Sequence, residues 1–210
     1  MPKKKRKVGS GKRYYFVITY LPEQASQEIL AGRCISTLHD FLVFHHIGGI
    51  GVGFPKWTEQ SLGNQIMFCS TNQQRLSQLH QSKYFTMMFD QGLFAVTDVE
   101  PVPADTAEVR FYRNQGIAKL FTGEKRRRLE RAKRRAAERG EMFDPERIGS
   151  NQPIGMFHRI LMDSQSTQQR FVLHVQKEDV AEASGTDFNG YGLATNRAYR
   201  GTVPDIRIPV

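Results

Sequence analysis

The chain has 210 residues and a formal net charge of +9, from 30 Lys and Arg residues against 21 Asp and Glu residues. A chain of this length can bury a core without disulfides or metals, as one large domain or two small ones. Its two cysteines, Cys34 and Cys69, exclude a disulfide framework and a cysteine-rich zinc site, and they indicate a reducing compartment. No apolar run approaches the roughly 18 residues of a membrane-spanning helix, so we expect no membrane segment.

The N-terminal residues differ in character from the rest of the chain. Residues 2–8 (PKKKRKV) resemble the monopartite nuclear import signal that is widely used as a tag, and residues 9–11 resemble a flexible linker. A native disordered basic tail is the alternative. We expect residues 1–11 to direct the chain to the nucleus and to stay outside the fold. They carry five positive charges, which leaves 25 basic and 21 acidic residues in the rest of the chain.

Strands and helices alternate in the predicted N-terminal part. Residues 13–21 (RYYFVITYL) are aromatic and β-branched, as in a strand, and Ser26 is a suitable N-cap for a helix that ends near His45. The further predicted elements are a strand after the glycines of residues 48–53, a strand at 65–70, a helix from Asn72 to His80 and a strand at 92–99. The order β-α-β-β-α-β predicts a ferredoxin-like domain over residues 12–103, an arrangement that RNA-recognition domains also use. Function does not follow from this fold alone.

Residues 104–210 predict a second, C-terminal α+β domain, so the predicted fold class of the whole chain is α+β. The predicted elements are a strand at 109–115, a helix of strong helix formers at 124–139 that stops at Gly140, and strands at 157–163 and 170–176. We expect His158 and His174, which lie in these strands, to be partly buried structural side chains. The tail from Phe188 onwards is expected to be irregular.

The positive charge is concentrated in this second domain. Residues 110–139 contain twelve basic and three acidic residues, a charge of +9, whereas the remainder outside residues 1–11 has −5. The arginines of the predicted helix fall on two adjacent faces, with Arg127, Arg131 and Arg134 on one and Arg128, Arg131 and Arg135 on the other. Such a stripe is typical of nucleic-acid binding; a solvated helix with i,i+4 ion pairs is the alternative. Charge alone does not distinguish DNA from RNA.

No single motif defines a site by itself. The glycines of residues 48–53 lead into a strand and not into a helix, so they lack the context of a phosphate-binding loop. No group of His, Cys or carboxylate residues has metal-ligand spacing, so we expect no metal and no cofactor. Taken alone, His39 beside an apolar helix stripe is more typical of a surface or core histidine than of a catalytic one. The hydroxyls of residues 164–167 usually bond to their own backbone, and Tyr191 fits a packing role.

Several motifs nevertheless occur together in the order of one protein family. They are GRCISTLHDF around His39, IGVGFP at residues 50–55, Arg113-Asn114-Gln115 before the arginine-rich helix, SQSTQQRF at residues 164–171 and YGL at residues 191–193. Through these motifs the chain resembles the type I-F CRISPR repeat-processing endoribonucleases (Cas-six, Csy-four-like) from about Lys12 to its C-terminus. It looks closer to the transposon-associated branch of that family.

The resemblance implies a sequence-specific endoribonuclease that cuts precursor CRISPR RNA at the base of the repeat hairpin. The 2′-hydroxyl would attack the scissile phosphate without a metal and leave a 2′,3′-cyclic phosphate. His39 would be the general base or acid, Ser164 would hold the 2′-hydroxyl, and Tyr191 would orient the site.

The resemblance also implies a set of RNA-binding residues. They are Arg113 and Gln115 for bases of the lower stem, Ser166 and Phe171 for the nucleotides at the cut, and Lys125, Arg127, Arg128, Arg131, Arg134 and Arg135 for the major groove. Arg128 and Arg131 match the arginines of the family, whereas Ala132 stands at the next matching position. The other four helix residues are therefore candidates to replace the missing contact.

The partners implied by the resemblance are the CRISPR RNA repeat hairpin and the other subunits of the type I-F RNA-guided complex. In the transposon-associated branch, transposition proteins would be further partners. The protein would cut once, stay on the 3′ hairpin as a monomeric subunit, and reside natively in the prokaryotic cytoplasm in a system of antiviral defence. The alternatives are a non-cleaving subunit that only anchors the guide RNA, and a protein that binds DNA through the basic helix.

Overall fold

The computed structural model describes residues 11–118, 122–140, 155–163 and 169–207, without the side chains of residues 122–129. The elements up to residue 101 are β1 (Tyr14–Tyr20), α1 (Gln27–His45), β2 (Ile50–Gly53), β3 (Gln65–Ser70), α2 (Gln73–His80), α3 (Lys83–Asp90), β4 (Phe94–Val96) and β5 (Glu100–Pro101). They are followed by β6 (Glu108–Arg113), α4 (Gln115–Ala118), α5 (Thr122–Glu138), β7 (His158–Asp163), β8 (Arg170–Val180), β9 (Ala194–Thr195) and β10 (Val203–Pro204). Within the described ranges, no helix is both long enough and apolar enough to cross a membrane.

The first sheet has the strand order β2-β3-β1-β4, with β5 also paired to β1, and all of these pairs are antiparallel. Side-chain caps fix where α1 and α2 begin. The Ser26 hydroxyl accepts from the Ile29 N–H at 3.4 Å, and the Asn72 side chain accepts from the Arg75 N–H at 3.0 Å. The observed order agrees with the predicted ferredoxin-like arrangement. Helix α3 is an addition that the sequence pattern did not predict.

The second sheet has the order β10-β6-β8-β7, with β9 parallel to β6. The strand predicted at 109–115 ends earlier, at Arg113, because the Asn114 side chain accepts from the Gly116 N–H at 2.9 Å and starts the short helix α4. Strand β8 extends beyond the predicted residue 176, because its polar end continues to pair with β6 up to Glu108. The tail expected to be irregular contributes β9 and β10. The predicted α+β class is confirmed.

One hydrophobic core joins both sheets. It contains Phe16 of β1, Leu38 of α1, Phe111 of β6 and Ile160 of β7, each with at most 4% of its surface exposed. Helix α1 lies so close to β7 at Gly32 that a Cβ atom there would be 1.8 Å from the carbonyl oxygen of the strand. This close crossing holds the backbone of α1 against the second sheet. The division of the chain at residue 103 stays a prediction.

Arg110 belongs to the basic segment of the sequence but not to a basic surface. Its side chain is buried and donates to a Glu178 carboxylate oxygen at 2.8 Å, to the Arg200 carbonyl at 3.3 Å and to the Ser184 hydroxyl at 3.2 Å. These charge-assisted bonds link β6 to β8, and removal of the Glu178 carboxylate would leave the buried guanidinium without its charged partner. The exposed basic surface therefore has a smaller charge than the sum over residues 110–139.

Candidate functional site

His39 projects from α1 towards the segment before β9. Its Nδ1–H donates to the carbonyl oxygen of Gly190 at 2.8 Å, and the side chain is half-buried. A carbonyl oxygen can only accept, so Nδ1 carries the hydrogen and Nε2 is the ring nitrogen left to exchange a proton. A Cβ atom at residue 190 would lie 3.3 Å from Nδ1, so glycine allows the backbone this close approach. The turn thus fixes both the position and the tautomer of the ring.

The turn at residues 189–193 is built by the YGL motif. The Asn189 side chain accepts from the Tyr191 N–H at 2.8 Å, and the Gly192 carbonyl accepts from the Val52 N–H at 2.8 Å. Gly192 has a φ of +71°, and a Cβ atom there would lie 2.6 Å from Val52 Cγ2. Leu193 is fully buried. These contacts place the Tyr191 ring at the surface beside His39.

Tyr191 is the centre of a four-residue cluster. Its ring stacks on His39 with 4.9 Å between centroids and an interplanar angle of 28°. The Phe171 ring lies 6.2 Å away, and the guanidinium carbon of Arg113 lies 5.8 Å from the Tyr191 centroid. The structure therefore brings together four residues that the sequence singled out, from α1, β6, β8 and the turn. All four side chains are half-buried, so each keeps a solvent-accessible face.

Ser164 and Ser166 lie outside the described residues. The strands that flank them end close to the cluster, because Met162 of β7 is the register partner of Phe171 in β8. Next to that pair, Asp163 and Arg170 form an exposed ion pair at 3.2 Å. The roles assigned to the two serines stay predictions.

The arginine-rich helix forms as α5, and its two ends differ from the predicted 124–139 by one or two residues. Lys125, Arg127 and Arg128 lie on it, but their side chains fall outside the description. Arg131, Arg134 and Arg135 are exposed, whereas Ala136 is buried. The Arg134 Nε atom lies 3.6 Å from a Glu138 carboxylate oxygen, which is an i,i+4 pair of the kind that the solvated-helix alternative predicts. Both partners are largely exposed, so this pair contributes little stability.

Asn114 holds its neighbours Arg113 and Gln115 in place, a role that the sequence did not reveal. The Asn114 side chain donates to a Gln176 side-chain oxygen at 2.7 Å, and the Asn114 N–H donates to the His174 carbonyl at 2.9 Å. These bonds fix the end of β6 and leave Gln115 exposed at the first position of α4. The preference of Asn for helix caps was the one available signal, and it did not identify Gln176 as a partner.

Burial shifts the pKa of one histidine and of both cysteines. Burial lowers the pKa of His174, and the positive charges of Arg159 and Arg113 lower it further, so folding favours the neutral form of this histidine. Burial raises the pKa of Cys69 to about 12 and raises that of Cys34 as well, so neither thiol is available as a nucleophile. Among the described residues, no group of three or more His, Cys, Asp or Glu side chains is placed to hold a metal ion.

Comparison with known proteins identifies the family. A family model with the description CRISPR-associated protein (Cas_Csy4) matches residues 15–206, a range that contains the whole cluster and α5. A search of curated proteins gives no match. Because the family match spans most of the chain, the protein belongs to the Cas_Csy4 family of CRISPR-associated proteins, which process CRISPR repeat RNA.

Proposed function

We propose that this protein is a metal-independent endoribonuclease that cuts the repeat hairpin of precursor CRISPR RNA and leaves a 2′,3′-cyclic phosphate. One observation carries the proposal: the His39 ring is held by the Gly190 carbonyl and stacked on Tyr191, with Nε2 as the nitrogen that can exchange a proton. A histidine that is held in one tautomer and stacked on a tyrosine ring is suited to proton transfer on an RNA backbone.

The chemical step needs no group beyond the RNA and the protein. The 2′-oxygen attacks the adjacent phosphorus as its proton leaves, the P–O5′ bond breaks, and the 5′-oxygen takes up a proton. Neutral His39 accepts the proton of the 2′-hydroxyl at Nε2, or cationic His39 donates a proton to the 5′-oxygen. The first role requires neutral His39, so the cleavage rate should rise with pH, and the second requires cationic His39, so the rate should fall. A pH–rate profile therefore separates the two roles.

The remaining members of the cluster position the RNA. The exposed face of Phe171 is available for stacking on a base at the cut, and the Arg113 guanidinium lies over the ring of Tyr191. Ser164 and Ser166 hold the 2′-hydroxyl and the neighbouring nucleotide in this proposal. In-line attack requires such fixation of the nucleophile.

Binding and specificity are assigned to Arg113, Gln115 and the arginine-rich helix. Arg113 and Gln115 read bases of the lower stem from the end of β6. Arg131, Arg134 and Arg135 present exposed charge and, with Lys125, Arg127 and Arg128, contact the phosphates of the hairpin major groove. We assign retention of the 3′ hairpin after cutting to these contacts. The retained product then makes the protein a subunit of the type I-F RNA-guided complex, in the transposon-associated branch alongside transposition proteins.

The test is cleavage of the repeat hairpin in EDTA under single-turnover conditions. We expect a product with a 2′,3′-cyclic phosphate and no loss of rate relative to Mg²⁺. His39→Ala should abolish cutting and leave hairpin affinity nearly unchanged. His45→Ala is the matched control, because His45 ends the same helix and its ring contacts Phe41 and Phe44 instead of the turn.

Two results would count against the proposal. Cleavage that depends on a divalent metal would refute the mechanism. Tight hairpin binding by the wild type without any cutting would show that the protein is the non-cleaving anchor of the guide RNA.

A further inference from the structure

We propose that the loop of residues 195–201 is a further RNA-binding surface that contacts the phosphate backbone of the repeat stem. It would lie next to the bases that Arg113 and Gln115 read. This inference rests on the function proposed above, because it takes the hairpin as the ligand. It extends that function to residues that neither the sequence motifs nor the cluster include.

The loop begins directly beside the end of β6. Strand β9 runs parallel to β6, with Thr195 as the register partner of Arg113. The next residue, Asn196, donates from its side chain to the Asn114 side-chain oxygen at 3.3 Å. From His39 the chain of contacts thus passes through Tyr191 and Arg113 to this loop. A stem that rests on Arg113 while its base is cut at His39 would pass over residues 195–201.

The loop is closed on itself and fixed at both ends. The Thr195 hydroxyl accepts from the N–H groups of Ala198 at 3.2 Å and Tyr199 at 3.1 Å, and the Thr195 N–H donates to the Tyr199 carbonyl at 2.9 Å. At the other end, the Gly201 N–H donates to the Asp187 carbonyl at 2.9 Å. A loop that is already ordered loses little conformational entropy when it binds.

The chemistry of the exposed side chains fits a polyanion with stacked bases. Arg197 and Arg200 are exposed, Tyr199 is 38% exposed, and the segment 195–201 (TNRAYRG) contains no acidic residue. Among the described side chains, neither guanidinium lies within ion-pair distance of a carboxylate, in contrast to the buried Arg110. Guanidinium groups bind phosphate in a bidentate way, and tyrosine stacks on bases. Both features favour RNA over an acidic protein surface as the ligand.

The experiment measures hairpin affinity over a range of KCl concentrations. The probe is the repeat hairpin with a 2′-deoxy nucleotide at the cut, so that it binds without reacting. Arg197→Gln/Arg200→Gln should weaken binding about tenfold and reduce the slope of log Kd against log[KCl] by about one to two. The loss should be the same for hairpins with permuted stem sequences, whereas Arg113→Ala should change the preference among them.

A double variant on helices α2 and α3 is the matched control. Arg75→Gln/Lys83→Gln removes the same charge from α2 and α3, and we expect wild-type affinity and slope. Tyr199→Phe should bind like the wild type, and Tyr199→Ala should lose about fivefold or more. If the double loop variant does not fold, Arg197→Gln alone applies the same test, because no contact within the described residues involves its side chain.

The outcomes separate the loop from the rest of the proposed function. A loop variant with the Kd and salt slope of the control variant overturns the loop proposal and leaves the cleavage proposal intact. A wild-type protein that neither binds nor cuts the hairpin overturns both. A reduced slope, with an unchanged cleavage rate of the natural hairpin at saturating protein, supports the loop as a phosphate contact that takes no part in the chemistry.

Discussion

The contact between Gly190 and His39 allows a small, calculable perturbation of the proposed site. In Gly190→Ala, the new Cβ atom would lie 3.3 Å from His39 Nδ1, closer than ordinary van der Waals contact, and 3.5 Å from Cε1. The ring must therefore shift by a few tenths of an ångström from its place against Tyr191, and the 2.8 Å bond to the Gly190 carbonyl lengthens. Since a misplacement of about 1 Å costs about 100-fold in rate, we expect cleavage to slow about three- to tenfold.

The assay is single-turnover cleavage of the repeat hairpin at saturating protein, together with hairpin affinity measured on the uncleavable 2′-deoxy analogue. The rate should fall while affinity stays within about twofold, because Gly190 supplies only the carbonyl that orients His39. Gly48→Ala is the matched control, since a Cβ atom there meets no other atom within 4 Å. A Gly190→Ala protein that cuts at the wild-type rate would refute the positioning role. Loss of cutting and binding together would show that Gly190 maintains the fold instead.

Three further outcomes follow from the packing and the pKa shifts. Gly32→Ala places a Cβ atom 1.8 Å from a β7 carbonyl oxygen. It should therefore destabilise the protein by about 3 kcal/mol or more and lower the melting temperature by about 6–12 °C. The control Gly48→Ala should melt like the wild type, and a wild-type melting curve for Gly32→Ala would contradict the close crossing of α1 and β7. Cys34 and Cys69 should react with a thiol reagent only as fast as the protein unfolds, because both thiols are buried and have a raised pKa. Rapid labelling of the native protein would contradict their burial. The folded protein binds a proton at His174 less readily than the unfolded chain does, so the free energy of unfolding should fall as the pH drops through about 6.5. His174→Gln should flatten this dependence in urea melts, and an unchanged slope would show that other groups cause it.

Local signals predicted most of the first sheet. Aromatic and β-branched residues marked its first strand, and Ser26 and Asn72, the two predicted caps, do accept bonds from their helices. Helix α3 was missed because Ser82 gives it no side-chain cap and its aromatic residues are typical of strands. Strands β9 and β10 were missed because each has two residues and exists only through pairing with β6. A strand stabilised entirely by a distant partner leaves no local pattern.

The motifs of the sequence identified residues of the candidate site, but they did not predict how these residues are arranged in space. His39 and Gly190 are 151 residues apart, and no periodicity relates them. The resemblance to a family identified His39, Tyr191 and Phe171, and the structure adds that Tyr191 contacts both of the others. The partition of charge was informative about α5 but overstated the basic surface, because a charge count cannot show that Arg110 is buried against Glu178.

The turn of residues 189–193 links the residue proposed for cutting to the residue proposed for recognition. On one side, its Gly192 carbonyl bonds to Val52 of β2, in the first sheet, and its Gly190 carbonyl orients His39. On the other side, the chain continues directly into β9, which pairs with Arg113 of β6 in the second sheet. The side chain between them, Tyr191, touches both His39 and Arg113. The group proposed for proton transfer and the group proposed for base reading therefore share one short, tightly packed support, so a stem that is displaced from Arg113 would also be displaced from His39. Selectivity for the correct hairpin can then appear in the cleavage rate as well as in the affinity.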